Sequence, residues 1–286
     1  MTRILVTGSA GLIGSGLVAA LEAAGFATAG IDLRSGGDVR DPNELAAAAA
    51  GCSGIVHLAA ISRVVWAERD PDAAEATNGG GTRNVAALAA ERGMWVLFAS
   101  SREVYGQPDA LPVGEDAPLR PMNAYARTKV AGEALIGGLP HHAIARLSNV
   151  YGATDDHPDR VIPAFVRAAL DGGTLTVEGW DHAFDFVHRD DAIRGLLLLI
   201  RRLEGGGSPP IVQLVTGVAT SLGSLAERVV AAVGAGALAP GTPRTFDVSR
   251  FCGDPRRAAE VLGWRAEVAL EDGLRRLIAN FRDGMR

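Results

Sequence analysis

The sequence predicts a doubly wound α/β fold, a parallel sheet covered by helices on both faces. Three observations predict it. Short apolar strands alternate with helix-length segments through the first half of the chain. A glycine-rich turn joins the first strand to the first helix. An acid, Asp32, stands at the end of the second strand. With 286 residues, 48% hydrophobic and 21% charged, the chain reads as a globular protein of one large domain or two small ones. The formal net charge of -5 argues against wholesale binding to nucleic acid or an acidic membrane.

The elements follow in order. Ile4-Leu5-Val6 is a short buried strand, and Ile13, Leu17 and Leu21 give residues 12–24 helical spacing. Residues 27–31 form a second strand. Residues 43–50 are an Ala-rich helix with Pro42 in its first turn. Residues 55–58 and 95–99 are strands flanking a long helix over 71–91. A helix over 124–136 and a strand over 143–147 complete the alternation. Beyond Tyr151 the pattern loosens: helices over 161–170, 190–203, 222–233, 255–262 and 270–281, with short strands at 175–177, 184–187 and 211–215. Residues 205–210 are a Gly/Pro loop, and residues 235–243 read as a Gly/Pro-rich connection. Cys52 reads as core, and two cysteines make neither a metal cluster nor a disulfide framework. The longest aliphatic run, 196–200, is too short to span a bilayer, and no signal-peptide pattern opens the chain, so the expectation is a cytoplasmic protein.

Residues Gly8, Gly11 and Gly14 form a G-x-x-G-x-x-G turn. Gly8 permits the tight turn, Gly11 admits a pyrophosphate to the backbone, and Gly14 lets helix and strand pack. Leu12 and Ile13 lie at the helix N-terminus, whose N–H groups and dipole favour phosphate. A carboxylate at Asp32 accepts ribose hydroxyls and repels a 2′-phosphate. It outweighs the nearby Arg34, and the expected cofactor is NAD. The prediction is a Rossmann-type doubly wound parallel sheet over 1–150, with a smaller C-terminal substrate-binding lobe over 151–286. Some segments of that lobe return to the first half.

The chain contains 28 basic residues, and only Lys129 is lysine. Only three residues are tyrosine: Tyr105, Tyr125 and Tyr151. Tyr125 and Lys129 stand four apart, on one face of a helix. A Tyr and Lys at this spacing alone are an ordinary surface pair. Downstream of a dinucleotide-binding turn they suggest a phenol serving as general base, its phenolate stabilised by the ammonium and by an oxidised nicotinamide. Arginine would keep the charge but change reach and hydrogen-bond geometry.

These motifs resemble the extended short-chain dehydrogenase/reductases, in particular the NAD-dependent sugar-nucleotide epimerases and dehydratases, along nearly the whole chain. The resemblance implies further roles. Leu58, Ala59 and Ala60, in H-L-A-A, match a cofactor-side segment. Residues 37–41 match an adenine-side segment, with Asp38 near the adenine amine and Val39 beside it. Asn78 matches an Asn beside the cofactor. Residues 99–106 resemble a strand-end S-S-x-x-V-Y-G, placing Ser100 at the cofactor and Ser101 as the catalytic serine, with Glu103 close by. Asn149, within R-x-x-N-V-Y-G, implies a substrate contact. Arg160 and Val161 match a nucleotide-side segment, and Arg244, opening Arg244-Thr245-Phe246-Asp247, a diphosphate-binding arginine. No metal is implied. A homodimer is.

Two departures bear on the reaction. Phe184 stands where the family carries a diphosphate arginine, so Arg244 with Arg160, or His182, must compensate, or the substrate is not a sugar nucleotide. Arg102 stands where the dehydratases carry an acid; it could instead pair with a substrate carboxylate, as in a uronic acid. The implied function is a sugar-nucleotide 4-epimerase working through a 4-keto intermediate, on a UDP-glucose/galactose-type substrate or a uronic acid analogue. Decarboxylation or dehydration using Glu103, net oxidation of a free sugar or uronate, and a non-catalytic NAD sensor are the alternatives.

Overall fold

The computed structural model describes residues 1–244 and 248–284. Strands β1 (Arg3–Thr7), β2 (Ala27–Ile31), β3 (Gly54–His57), β4 (Trp95–Ser101), β5 (His142–Leu147) and β9 (Val212–Leu214) form one sheet. Their order is β2-β1-β3-β4-β5-β9, and every pairing is parallel. The order reverses between β1 and β3. The crevice at the carboxyl ends of those two strands is the switch point at which such sheets hold ligands.

Alternation along each strand sends side chains to both faces. Ile4, Val6, Val56 and Leu97 point to one face, where they meet Leu17 and Leu21 of α1 (Gly14–Ala23), Leu196 and Ile200 of α8 (Arg189–Glu204), and Ala258 of α10 (Arg256–Leu262). Leu5, Ile55, Val96 and Phe98 point to the other. They meet Leu45 of α2 (Pro42–Ala48), Val85 and Leu88 of α5 (Gly81–Arg92), and Ile136 of α6 (Ala124–Gly137). The edge strand β9 and helices α8 and α10 therefore belong to the central sheet although they come from the second half of the chain.

A separate core lies beside the carboxyl ends of the sheet. It packs Phe165 of α7 (Val161–Leu170), Val177 of β7 (Thr174–Glu178), Phe184 and Phe186 of β8 (Ala183–His188), Leu225 of α9 (Leu222–Val233) and Leu277 of α11 (Leu270–Gly284). Strands β6 (Asn149–Tyr151), β8 and β10 (Ala219–Ser221) form a three-stranded sheet in the order β10-β8-β6.

Several local features differ from the sequence expectation, strands β6 and β10 among them. The stretch expected to be a plain connection contains a strand, β11 (Ala237–Gly241), paired in parallel with β7. Pro240 is tolerated there because, among the described residues, β7 is the strand's only partner. The single long helix expected over 71–91 is α4 (Pro71–Ala74), a π-helical stretch over Glu75–Gly80, and then α5. A short helix, α3 (Val64–Arg69), stands where no element was expected. Cys52 is half-buried at the edge of the core rather than inside it, and Cys252 is buried; both thiols are free. Among the described residues, no helix is long and apolar enough to cross a membrane.

Candidate active site

A cleft of about 700 Å³ runs from the β1–β3 switch point to the second core. Its first wall is the glycine-rich turn. Gly8 has φ +70°, and a Cβ there would lie 2.8 Å from the Ala59 nitrogen. A Cβ on Gly14 would lie 2.1 Å from the Gly8 carbonyl oxygen. A side chain at Gly8 would push the turn away from the segment that follows β3, and one at Gly14 would push α1 off the turn. A Cβ on Gly11 would meet only the Gly8 oxygen, at 3.2 Å, so this residue leaves the cleft-side backbone bare. No side chain caps the start of α1, and Gly11, Leu12, Ile13 and Gly14 all line the cleft. A bare backbone at a helix N-terminus fits a pyrophosphate.

Asp32 stands at the tip of β2. Its carboxylate accepts from Ala10 N at 3.0 Å and Arg34 N at 2.8 Å, and Arg34 in turn donates to the Ala10 carbonyl at 2.8 Å. The acid and the arginine thus clamp the phosphate turn between them, and Arg34 is drawn toward the loop backbone. Val39, Leu58, Ala59, Ala60 and Ser100 also line the cleft. Two expected cofactor residues do not. Asp38 is ion-paired with Arg40 at 2.5 Å, and its neighbours Gly37 and Val39 face the cleft in its place. Asn78, on the π-helical stretch, is buried behind the wall. Its amide accepts from Ile61 N at 2.8 Å and donates to Ile61 O and Thr128 Oγ1 at 3.2 and 3.0 Å. It fastens the cleft-lining loop to α6 rather than reaching the cleft itself.

Ser101, Tyr125 and Lys129 come together where β4 meets α6. All three are buried, and all line the cleft. Asn123 caps α6, accepting from Ala126 N at 2.8 Å, which sets the register of the helix two residues before Tyr125. Lys129 donates to the Ala99 carbonyl at 2.8 Å and lies 4.7 and 5.7 Å from the Phe98 and Tyr125 ring centroids. Burial pushes the Lys129 ammonium down to about 8, opposed by Glu133. Burial pushes the Tyr125 phenol up to about 12, offset in part by hydrogen bonding with Ser101 and by Arg160. Among the chain's own groups desolvation outweighs the neighbouring cations, so the expected phenolate depends on the added positive charge of an oxidised nicotinamide.

Beneath this trio lies a buried ion pair whose role motif reading did not bring out. Glu133 follows Lys129 by one helical turn. It receives Arg146 at 2.8 and 2.6 Å, in a fork-on-fork arrangement, and Ser100 Oγ at 2.5 Å. Arg146 also donates to the Tyr105 hydroxyl and the Glu115 carbonyl, at 2.8 and 2.7 Å. Two of the three tyrosines are therefore structural: Tyr105 anchors Arg146, and Tyr151 packs edge-on against His188. Glu133, spaced four from Lys129 and eight from Tyr125, was the available signal.

On the facing wall, Phe184 carries the Arg102 guanidinium 4.6 Å above its ring. Arg102 donates to Asn149 Oδ1 at 3.1 Å and is ion-paired with Glu103 at 2.7 Å. The second Glu103 oxygen accepts from Asn123 at 3.0 Å. Arg160 reaches Ser62 at 3.1 Å and Asp156 at 3.2 Å. Arg244 is paired with Glu178 at 3.0 Å. Asn149, Arg160, Val161, His182 and Arg244 all line the cleft. Thr245, Phe246 and Asp247, the rest of the expected diphosphate motif, lie outside the described residues.

Such a cleft, with a phosphate turn at one end and a buried Ser-Tyr-Lys trio midway, defines an NAD-dependent enzyme. Residues 4–224 match the NAD dependent epimerase/dehydratase family, and the chain belongs to it. It is 34% identical to a UDP-glucose 4-epimerase of Mycolicibacterium smegmatis, over 98% of this chain and 99% of that one. It is 30% identical to a dTDP-glucose 4,6-dehydratase of Streptomyces griseus, over 97% and 93%. Its fold superimposes on MoeE5 in complex with UDP-glucose and NAD with a TM-score of 0.92 at 29% identity, covering 99% of this chain and 100% of MoeE5. MoeE5 has also been solved with UDP-glucuronic acid and NAD.

Proposed function

We propose that the protein is a sugar-nucleotide 4-epimerase. One observation carries this choice over the dehydratase and decarboxylase readings: Glu103 is fully engaged. One carboxylate oxygen takes Arg102 and the other takes Asn123, at 2.7 and 3.0 Å. A carboxylate so held is poorly placed to shuttle a proton at a carbon beside C4. The remaining proton relay is Ser101 and Tyr125, which serves a single hydroxyl.

NAD, when bound, would supply the hydride acceptor at C4 and, once the 4-keto sugar has turned over in the site, the hydride donor to its opposite face. The chain does the rest. Gly8, Gly11, Leu12, Ile13, Gly14, Asp32 and Arg34, with Val39, Leu58, Ala59, Ala60 and Ser100, hold the cofactor in the 1–150 half. Asn149, Arg160, Val161 and Arg244 hold the sugar nucleotide against the 151–286 lobe. Ser101 donates to the C4 oxygen and orients it. With the positive charge of an oxidised nicotinamide beside it, Tyr125 would ionise, take the hydroxyl proton and later return it to the same oxygen. Lys129 donates to the Ala99 carbonyl, which holds its ammonium 5.7 Å from the Tyr125 ring. Burial excludes water from the 4-keto stage. Proton and hydride both return, so the substrate and product differ only in configuration. The reading includes a cytoplasmic homodimer, for which a native mass twice that of the chain is the expected observation.

The test is turnover of UDP-glucose and UDP-glucuronate followed by proton NMR, with Tyr125→Phe as control. The C4 epimer is expected from the native protein, with loss of about 100- to 10,000-fold in the variant. Full activity in Tyr125→Phe would sink the relay.

A further inference from the structure

Arg102 lines the cleft one residue after Ser101. Its guanidinium side chain is 11% exposed. It lies between two aromatic rings, 4.6 Å from the Phe184 centroid and 5.9 Å from that of Phe251. Its Nε is used by Asn149 and its Nη2 by Glu103. Its Nη1 is buried and, among the described residues, has no hydrogen-bond partner. Arg160 is ion-paired with Asp156 and donates to Ser62, and its Nε too is buried with no hydrogen-bond partner among the described residues; Arg102 is set apart by standing next to Ser101.

A buried guanidinium with unmet donors is costly, and the cost disappears when an anion completes its fork. A sugar hydroxymethyl offers a single neutral acceptor. A carboxylate offers two oxygens and the opposite charge. Position selects which anion of the substrate this is. Arg102 directly follows Ser101, and its charge is felt at the Tyr125 phenol. It is therefore at the reacting end of the sugar, next to the Ser-Tyr pair, whereas Arg244 sits on another segment with Glu178. The two phenylalanine rings hold the guanidinium plane rigid, so little side-chain entropy is lost on binding.

We propose that Arg102 recognises a carboxylate on the sugar ring, making the substrate a nucleotide-linked hexuronate. This rests on the sugar-nucleotide reading above, and Phe184 takes on a definite role within it. It is the platform that holds Arg102 flat.

The experiment compares UDP-glucuronate with UDP-glucose on the full chain. Native protein is expected to favour the uronate by about 10- to 100-fold in kcat/KM, the range of one charge-assisted contact. In Arg102→Met that ratio collapses toward one. Arg102→Lys, with charge but no planar fork, retains an intermediate ratio. Equal use of both substrates by the native protein would overturn the proposal. So would an unchanged ratio in Arg102→Met with both substrates impaired alike, the signature of a diphosphate contact or of mere packing. Should Arg102→Met fail to fold, direct titration of native protein with the two nucleotides reads the same preference, and equal Kd values overturn it. Tighter binding of the uronate with no turnover of either sugar would contradict the epimerase reading while leaving the carboxylate site standing.

Discussion

Tyr125 lies in surroundings that resist its ionisation. Burial raises its phenol to about 12 and Tyr105 to about 12, and Tyr151 is raised as well. An absorbance titration of NAD-free protein should therefore show no native tyrosinate at the reference value near ~10. Half-ionisation of one tyrosine at or below that value would contradict the burial argument. Folded tyrosines keep protons that the unfolded chain releases, so stability falls as pH rises from about 10 toward 12. Lys129 acts oppositely, since its folded value is about 8 and unfolded lysine titrates at 10.5. Its burial penalty is full below pH 8 and is relieved as pH climbs through that window. The importance of Lys129 was visible as the lone lysine beside a tyrosine. Its partner was not, because the Ala99 carbonyl belongs to a strand end that only the fold brings near.

At the scale of elements, α6 carries the site and the Glu133–Arg146 pair ties it to β5. Removing one member strands the other as a buried charge. Glu133→Gln should cost about 3–5 kcal/mol in denaturant unfolding, and a loss under about 1 kcal/mol would mean the pair is not isolated from water. His57 ties β3 to β1 and α5 through Thr7 Oγ1 at 2.7 Å and Thr82 Oγ1 at 3.0 Å. Burial lowers it to about 3. The unfolded chain therefore binds the proton first, and stability is lost as pH falls from about 6.5 toward 3. Between pH 6.5 and 4 this one group accounts for a loss on the order of 3 kcal/mol. His57→Gln should flatten that slope in thermal melts; an unchanged slope would assign acid lability elsewhere. Helices with clear apolar periodicity, such as α9 over Leu222–Val233, were readable with their bounds. Strand β11 was not, since Ala, Pro and Gly carry no alternation and its pairing depends on a distant β7. The π-helical stretch escaped for a related reason. Three consecutive glycines, Gly79 to Gly81, leave the apolar spacing of a helix intact on either side while its hydrogen-bond ladder widens.

For the whole molecule, the net charge of -5 conceals a local arrangement. The cleft gathers Arg34, Arg63, Arg102, Arg160 and Arg244 along one ligand path. Most of these are matched by an acid or a carbonyl. The doubly wound sheet, its phosphate turn and its acid were legible because each depends on local sequence. The Arg102–Phe184 stack was not, because it joins residues more than eighty positions apart. The exchange at Phe184 reads as a loss in the sequence and as a support in the fold. Under the epimerase reading a hydride leaves C4, a proton leaves the oxygen on C4, and both return. Incubating native protein with a C4-deuterated UDP-glucuronate or UDP-glucose, and following product by NMR beside absorbance at the reduced-nicotinamide band, tests it most directly. The account predicts the C4 epimer with deuterium retained at C4, no stoichiometric reduced cofactor and no carbon dioxide. A product lacking water or a carboxylate, or reduced cofactor accumulating mole for mole with product, would contradict it.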